Sequence, residues 1–424
     1  MASTILLLLL LLLISISIST SKASSSTFPP EALPTKSGYL SINSTSNSSF
    51  FYTFYEAQHP STSTPTPLLI HLQGGPGCSS MFANFFELGP FLISPTSPTL
   101  HPNPFSWNRV FSLLFIDNPI VTGFSIAASF SDIPKDQPTV AAHLYTALQL
   151  FFSQNPPLRS RPLFLTGESY AGKYIPSFAY HILQRNSVTT QADTAYFTGF
   201  INAKQRQHME SLQRKTVEFV KEGQWLEATK ARIRVLDYLQ NVTGLATLYD
   251  YSKKKSYQSE MVTVLLNKEE VKECSEVVGS ALEEDVMKSV KEMVEEVVKK
   301  SRVLLYYGMN DLRGGVVAGE EWVKEMEWEG LEEFLNVERK VWEVDGEVAG
   351  YVQRWGSLSL VGVAGAGHMV PMDKGRNAQA MIEDWVLENG LFGRDDELKI
   401  YLLKGKNNNY KEKKKHKRNL SNTK

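Results

Sequence analysis

Leu163-Phe164-Leu165-Thr166-Gly167-Glu168-Ser169-Tyr170-Ala171-Gly172 is the stretch on which the fold turns. Its first four residues are an apolar run too short for a helix and bounded by a glycine, as a buried strand is. Residues after Gly172 carry apolar side chains at helical spacing. Between them Gly167, Ser169 and Ala171 fill the pattern small-x-Ser-x-small. At a strand-to-helix junction, small neighbours let the chain reverse tightly and push the serine hydroxyl out at the carboxyl end of a sheet. Ser169 is therefore the candidate nucleophile.

Similar apolar runs lie on either side: Leu68–Leu72, Phe111–Ile116, Val303–Tyr307 and Leu358–Val363. Each ends at a glycine or polar cluster, and helix-like segments such as Thr139–Phe152 and Ala378–Leu387 intervene. Strands alternating with helices predict an α/β fold with a mostly parallel sheet covered on both faces. Between about Ala195 and Ser301 the character changes. Lys204–Leu239 and Leu282–Lys300 are rich in charge, with apolar residues at i, i+3 and i+4. That pattern predicts a helical cap inserted between sheet strands, with the core formed by residues 30–194 and 301–395 and the cap by 195–300.

A serine at such a turn needs a base and an acid, which this turn type places in the chain order Ser, acid, His. After Lys300 the histidines are His368 and His416. His416 lies in a lysine-rich tail, whereas His368 follows the run LSLVGV inside Gly365-Ala366-Gly367-His368. A loop histidine at a strand's carboxyl end suits a general base. Asp311 follows VLLYYGMN directly, while Asp193, Asp237, Asp250, Asp285 and Asp345 follow no apolar strand, so Asp311 is the candidate orienting acid. An oxyanion needs two backbone N–H groups. Tyr170, next after the serine, offers one. Gly75, in the Gln73-Gly74-Gly75-Pro76-Gly77-Cys78 loop after Leu68–Leu72, offers the other. A phosphate cradle does not fit that loop, because no Lys-Ser/Thr follows.

Composition narrows the classes. The chain has 424 residues, 42% hydrophobic and 21% charged, and a net charge of −1. It can bury a large core, and it lacks the basic balance of a nucleic-acid binder. Residues 404–424 hold nine Lys/Arg against one acid, which reads as a solvated, disordered basic tail. Two cysteines, Cys78 and Cys274, exclude a four-cysteine zinc site and leave one disulfide possible. No metal or dinucleotide motif is present, so no cofactor is expected. The leucine- and isoleucine-rich amino end followed by small residues reads as a signal peptide over residues 1–23; a retained anchor is the rival. No later run approaches a bilayer span of about 18 apolar residues, so no stable span is expected after cleavage. Secretory entry would make the sequons at Asn43, Asn47 and Asn241 usable. Oligomeric state is not legible.

QGGPGCSSM (Gln73–Met81), NPFSWN (Asn103–Asn108), DNPIVTGFS (Asp117–Ser125), TGESYAGKYIP (Thr166–Pro176), YYGMNDLRGG (Tyr306–Gly315) and GAGHMVPMDKG (Gly365–Gly375) together resemble the serine carboxypeptidase family, and its plant carboxypeptidase-like branch most. The resemblance runs in order over residues 35 to 393. It implies an α/β-hydrolase fold with a helical cap and release of C-terminal residues from peptides. It also implies Ser169, Asp311 and His368 as a catalytic triad, with Gly75 and Tyr170 as oxyanion donors. Glu168, with Gln73 and Gly74, would receive the substrate carboxylate. Cys78 and Cys274 align with one disulfide of the family. Two carboxyl groups in one pocket must share a proton, so acidic pH and a vacuolar or extracellular setting are expected.

The sequence departs from that pattern in three places. His71 and Gln73 stand where the family has Trp and Asn, and Val121 stands where it commonly has Gly. The family's strand with a Gly-Asn-Gly signature, between the nucleophile strand and the acid strand, has no counterpart: the chain passes from Ile182-Leu183-Gln184-Arg185-Asn186 to SVTTQADTAYF. Loss of that strand predicts a gap near the sheet centre. Two other readings thus stand beside a peptidase. One is an acyltransferase of the same branch acting on glucose esters, which more often resembles GDSY at the elbow. The other is an inactive family member.

Overall fold

The computed structural model describes residues 28–42, 47–94, 96–183, 195, 199–255 and 274–393. The amino-terminal leader, Asn43, the stretch 187–194 and the basic tail lie outside the described residues.

Strands β1 (Lys36–Ser41), β2 (Ser49–Tyr55), β3 (Leu68–Leu72), β6 (Ser112–Ile116) and β7 (Leu163–Gly167) form one sheet in the order β1-β2-β6-β3-β7. A second sheet runs β8-β11-β10-β9, from β8 (Val303–Gly308), β9 (Lys340–Val344), β10 (Glu347–Trp355) and β11 (Leu358–Val363). A small hairpin joins β4 (Phe91–Ile93) to β5 (Leu100–Pro102). The five apolar runs read from sequence are β3, β6, β7, β8 and β11. Pairs β6–β3, β3–β7 and β8–β11 are parallel. Antiparallel pairs flank them on both sides. The outer strands alternate or carry charge, so no continuous apolar run marked them. One of these outer hairpins, β9–β10, turns at Asp345-Gly346, both with positive φ, of 54° and 82°, as a two-residue hairpin turn requires.

The missing strand leaves a physical signature. β3, β6 and β11 are buried along their whole length. β7 and β8 lie at the facing edges of the two sheets and are only partly buried, with Leu163 37% exposed. Among the described residues no strand pairs with either edge. Helices hold the seam. Helix α2 (Ala171–Leu183) packs on α5 (Lys291–Val298). Trp385, on α6 (Gly375–Leu387), stacks edge-on against Phe164 of β7 at 5.9 Å. It also lies under the Arg302 guanidinium, 4.7 Å from its ring, just before β8. Helix α1 (Gln137–Gln154) packs beside α2.

In the inserted region, the single amphipathic stretch expected over Lys204–Leu239 is two helices, α3 (Ala203–Lys221) and α4 (Trp225–Thr243). Gly223, with φ 70°, breaks them. Asn202 and Gln205 cap α3 reciprocally, at 3.0 Å and 2.9 Å. Met209, Val235, Leu236, Leu239 and Leu248 form the hairpin's own apolar cluster. Cys78 and Cys274 are joined in a disulfide that spans 196 residues and ties the glycine loop to the end of the insertion. Val121 has φ 69°, a left-handed conformation rare for a β-branched residue, which accounts for the glycine that the pattern favours there. Asn47 and Asn241 are exposed. No helix among the described residues is long and apolar enough to cross a membrane.

Because Trp385 touches both edges of the seam, Trp385→Ala is expected to remove about 3–5 kcal/mol, read from urea unfolding.

Candidate active site

Four strands deliver the site at their carboxyl ends. β7 ends in Glu168 and Ser169, β3 in the Gln73–Cys78 loop, β8 in Asp311 and β11 in His368. Ser169 has φ 58°, a strained turn that holds its hydroxyl off the sheet. Gly167 explains the need for small neighbours: a Cβ there would lie 2.7 Å from the Ala171 Cβ and 2.8 Å from the Ile175 side chain. A Cβ on Gly74 would lie 2.6 Å from the Tyr170 nitrogen and 2.9 Å from the Ser169 Cβ. The glycine loop therefore presses its backbone against the turn, which brings the Gly75 and Tyr170 amides together. Among the described residues neither amide is used in a backbone hydrogen bond.

His368 Nδ1 lies 2.6 Å from Asp311 Oδ2. The other Asp311 oxygen accepts from the backbone nitrogens of Arg313 (2.7 Å) and Gly314 (3.1 Å). Burial lowers the His368 pKa, but the Asp311 carboxylate outweighs it and holds the imidazole above its ordinary value. His368 Nε2 is buried and has no partner among the described residues. Ser169 reaches the same end of the sheet without bonding to it. Such contacts commonly close only around substrate.

The segment after α4 clasps both loops. Leu312 N donates to Leu248 O (3.2 Å), His368 N to Tyr249 O (2.7 Å) and Tyr251 N to Asn310 O (3.2 Å). The Tyr249 ring lies 4.9 Å from the His368 ring. Nothing in the sequence of this segment marked it for that task.

Behind Ser169 lies a buried acid pair. Gln73 Nε2 donates to Glu168 Oε1 at 3.1 Å, so glutamine at that place keeps the amide contact. Glu87, which the sequence reading passed over, faces Glu168. Burial holds its carboxyl up at about 7. Burial, then the charge of Glu87, raises Glu168 well above the ordinary range. Two buried carboxyls so placed share a proton. Tyr306 of β8 is buried beside them, its pKa pushed up by burial and then by Glu168 and Glu87. The signal for Glu87 was available, a lone acid within the apolar run MFANFFEL. His71 is buried, touches Thr166 Oγ1 at 3.1 Å, and is driven by burial to a pKa of about 4, hence neutral.

Asp285, in the insertion, reaches Tyr170 from above. Its Oδ2 accepts from Tyr170 Oη (2.6 Å), Gln137 Nε2 (2.7 Å) and Lys173 Nζ (2.5 Å). The side chain next to the serine is thereby fixed, and Lys173, pulled down to about 8 by burial, keeps an ion-pair partner. Among the described residues no cluster of His, Cys, Asp and Glu could hold a metal ion.

A serine on a strained strand-to-helix turn, with a histidine–aspartate pair two strands away, defines an α/β-hydrolase. A model of the serine carboxypeptidase family matches residues 26–203 and 201–388, and the chain belongs to that family. The two pieces of the match meet near the start of α3, just after the place of the absent strand. A relative from Arabidopsis thaliana, "Serine carboxypeptidase-like 50", is 51% identical over 404 residues, covering 87% of this chain and 91% of its own. The human "Probable serine carboxypeptidase CPVL" is 31% identical over 408 residues, covering 86% and 85%. A prohormone-processing carboxypeptidase from Saccharomyces cerevisiae superposes with a TM-score of 0.71 at 22% identity, over 86% of this chain and 94% of that one, which establishes the shared fold.

Gly74→Ala should drive its Cβ into the turn and displace the oxyanion amides. The expected outcome is a fall in kcat/KM of about 100-fold or more on a peptide substrate, with circular dichroism unchanged.

Proposed function

We propose that the chain releases the C-terminal residue of peptides through an acyl-enzyme formed on Ser169. Ser169 Oγ attacks the last peptide carbonyl, and its proton passes to His368 Nε2. Asp311 holds the imidazole at Nδ1 and stabilises its charged form. The Gly75 and Tyr170 amides meet the oxyanion. His368 then gives the proton to the leaving amine, and water repeats the sequence to free the acyl group.

One observation carries the exopeptidase reading, the buried Gln73–Glu168–Glu87 cluster beside the serine. A shared proton lets Glu168 donate to an incoming carboxylate. Gln73 and the Gly74 backbone complete the receiving loop. Transfer from a glucose ester would use the same serine and histidine but would give this acid pair no ligand, and peptides suit it better. The absent strand leaves the His368–Asp311 contact and the disulfide intact, which favours a working enzyme over an inactive one. The disulfide also supports passage through an oxidising compartment, with a secreted or vacuolar destination.

The pH dependence follows from the signs. His368 must be neutral to accept a proton, so activity falls on the acid side as it protonates. The acid pair must keep its proton, so peptide binding weakens as pH rises through about 7. Glu168→Gln carries donor hydrogens at every pH. It is expected to flatten the alkaline fall of kcat/KM on peptides between about pH 5 and about pH 9; a profile parallel to that of the parent would count against the role.

Labelling with a fluorophosphonate tests the nucleophile directly. The purified chain should label at mildly acidic pH and Ser169→Ala should not. A well-folded parent chain that stays unlabelled would favour the inactive reading.

A further inference from the structure

Beyond the reacting groups, two arginines stand over the catalytic histidine with no acid to answer them. Arg313 follows Asp311 by two residues, and its guanidinium lies over the Tyr249 ring, 4.8 Å from the centroid. The other face of that column is His368, 4.9 Å from Tyr249. Arg232 comes from the insertion. It sits on the inward side of α4, one turn from the buried Ala228 and one from the buried Leu236. The same side of α4 is pinned toward the site by Thr229 Oγ1, which donates to Glu283 O at 2.8 Å, two residues before Asp285 and its contact with Tyr170. Burial, with Arg313 beside it, draws the Arg232 guanidinium down to about 10, and Tyr249 acts on it as well.

Neither arginine forms an ion pair with a carboxylate. Most cations on the surface of this chain do: Arg109 with Glu383, Arg161 with Glu56, Arg339 with Glu320 and Arg376 with Asp345. Two largely desolvated guanidiniums side by side repel one another, and each lacks a planar anionic acceptor for its fork of donors. The fold tolerates this beside its reaction centre, where the missing counter-charge can arrive with a ligand.

We propose that Arg232 and Arg313 form an anion subsite that selects peptides with an acidic side chain next to the bond to be cleaved. The inference rests on the carboxypeptidase reading. It adds a substrate class to it: the terminal carboxylate goes to the Gln73–Glu168–Glu87 cluster, and a second carboxylate, on a glutamate or aspartate side chain, goes to the arginine pair. A carboxylate there would accept from both guanidiniums and relieve their repulsion in the bound state. The cap thus contributes to selectivity through one residue of α4, while Arg313 contributes from the loop that carries the catalytic acid.

The test compares blocked dipeptides that differ by charge at nearly equal shape. Glutamate is set against glutamine, first at the penultimate position and then at the terminal one, at about pH 6, where glutamate is ionised. The parent chain should prefer glutamate at one of the two positions on the order of tenfold in kcat/KM. Arg232→Gln should bring that ratio close to one while leaving kcat/KM on the glutamine peptide within about threefold, and Arg232→Lys should keep most of the preference. Raised salt should shrink the ratio in the parent. Equal cleavage of both peptides by the parent overturns the subsite alone. An equal fall on both peptides in Arg232→Gln means that the arginine only supports the cap, and also overturns it. Cleavage of neither peptide by a folded parent overturns the carboxypeptidase reading together with this one.

Discussion

The seam between β7 and β8 is the constraint on which the rest depends. Ser169, Glu168 and the glycine loop hang from one sheet, and Asp311 and His368 from the other. No backbone ladder joins the two among the described residues, so the catalytic geometry is held by side chains and connections across the gap. Trp385 wedges against both edges from one face, and α2 packs on α5. Packed interiors resist small displacements because each contact is short-ranged. A ladder would add direction and register to that resistance. Partial exposure of β7 and β8, in contrast to the full burial of β3 and β11, is the visible consequence of its loss.

The insertion does more than roof the cleft. Residues 248–251 bond to the loops of Asp311 and His368 and fix one to the other. Asp285 holds the Tyr170 side chain beside the nucleophile, and the disulfide anchors the end of the insertion to the oxyanion loop. The site is therefore braced from the cap side at three places. This compensates in part for the weakened sheet beneath it, since preorganisation of a catalytic site depends on the shell that holds its first residues in place.

Electrostatically the cleft has two unlike ends. On one side of His368 the acid pair Glu87 and Glu168 is buried and proton-sharing. On the other, Arg313 and Arg232 crowd together without acids. His368 feels both, raised by Asp311 and Glu168 and lowered by burial and Arg313. Such opposed environments push pKa values apart, and that separation lets one small cleft accept a carboxylate and move a proton at the same pH.

The sequence by itself determined the sheet's central strands, the turn at Ser169, the order of Ser169, Asp311 and His368, and the place of the absent strand. Each is a local matter: an apolar run with a period, or a small residue where no side chain fits, and local rules suffice to read it. The tertiary structure decided what depends on residues far apart in the chain. Glu87 stands 81 positions before Glu168, and only folding sets the two carboxyls face to face. Asp285 and residues 248–251 sit in charged or ordinary loop sequence with no period to mark them. Antiparallel outer strands carry polar residues on one face, so they showed no continuous apolar run. Burial and proximity, which raise Glu168, lower His71 and leave Arg232 without an acid, are properties of an environment that many segments build together, and no single stretch of sequence contains them.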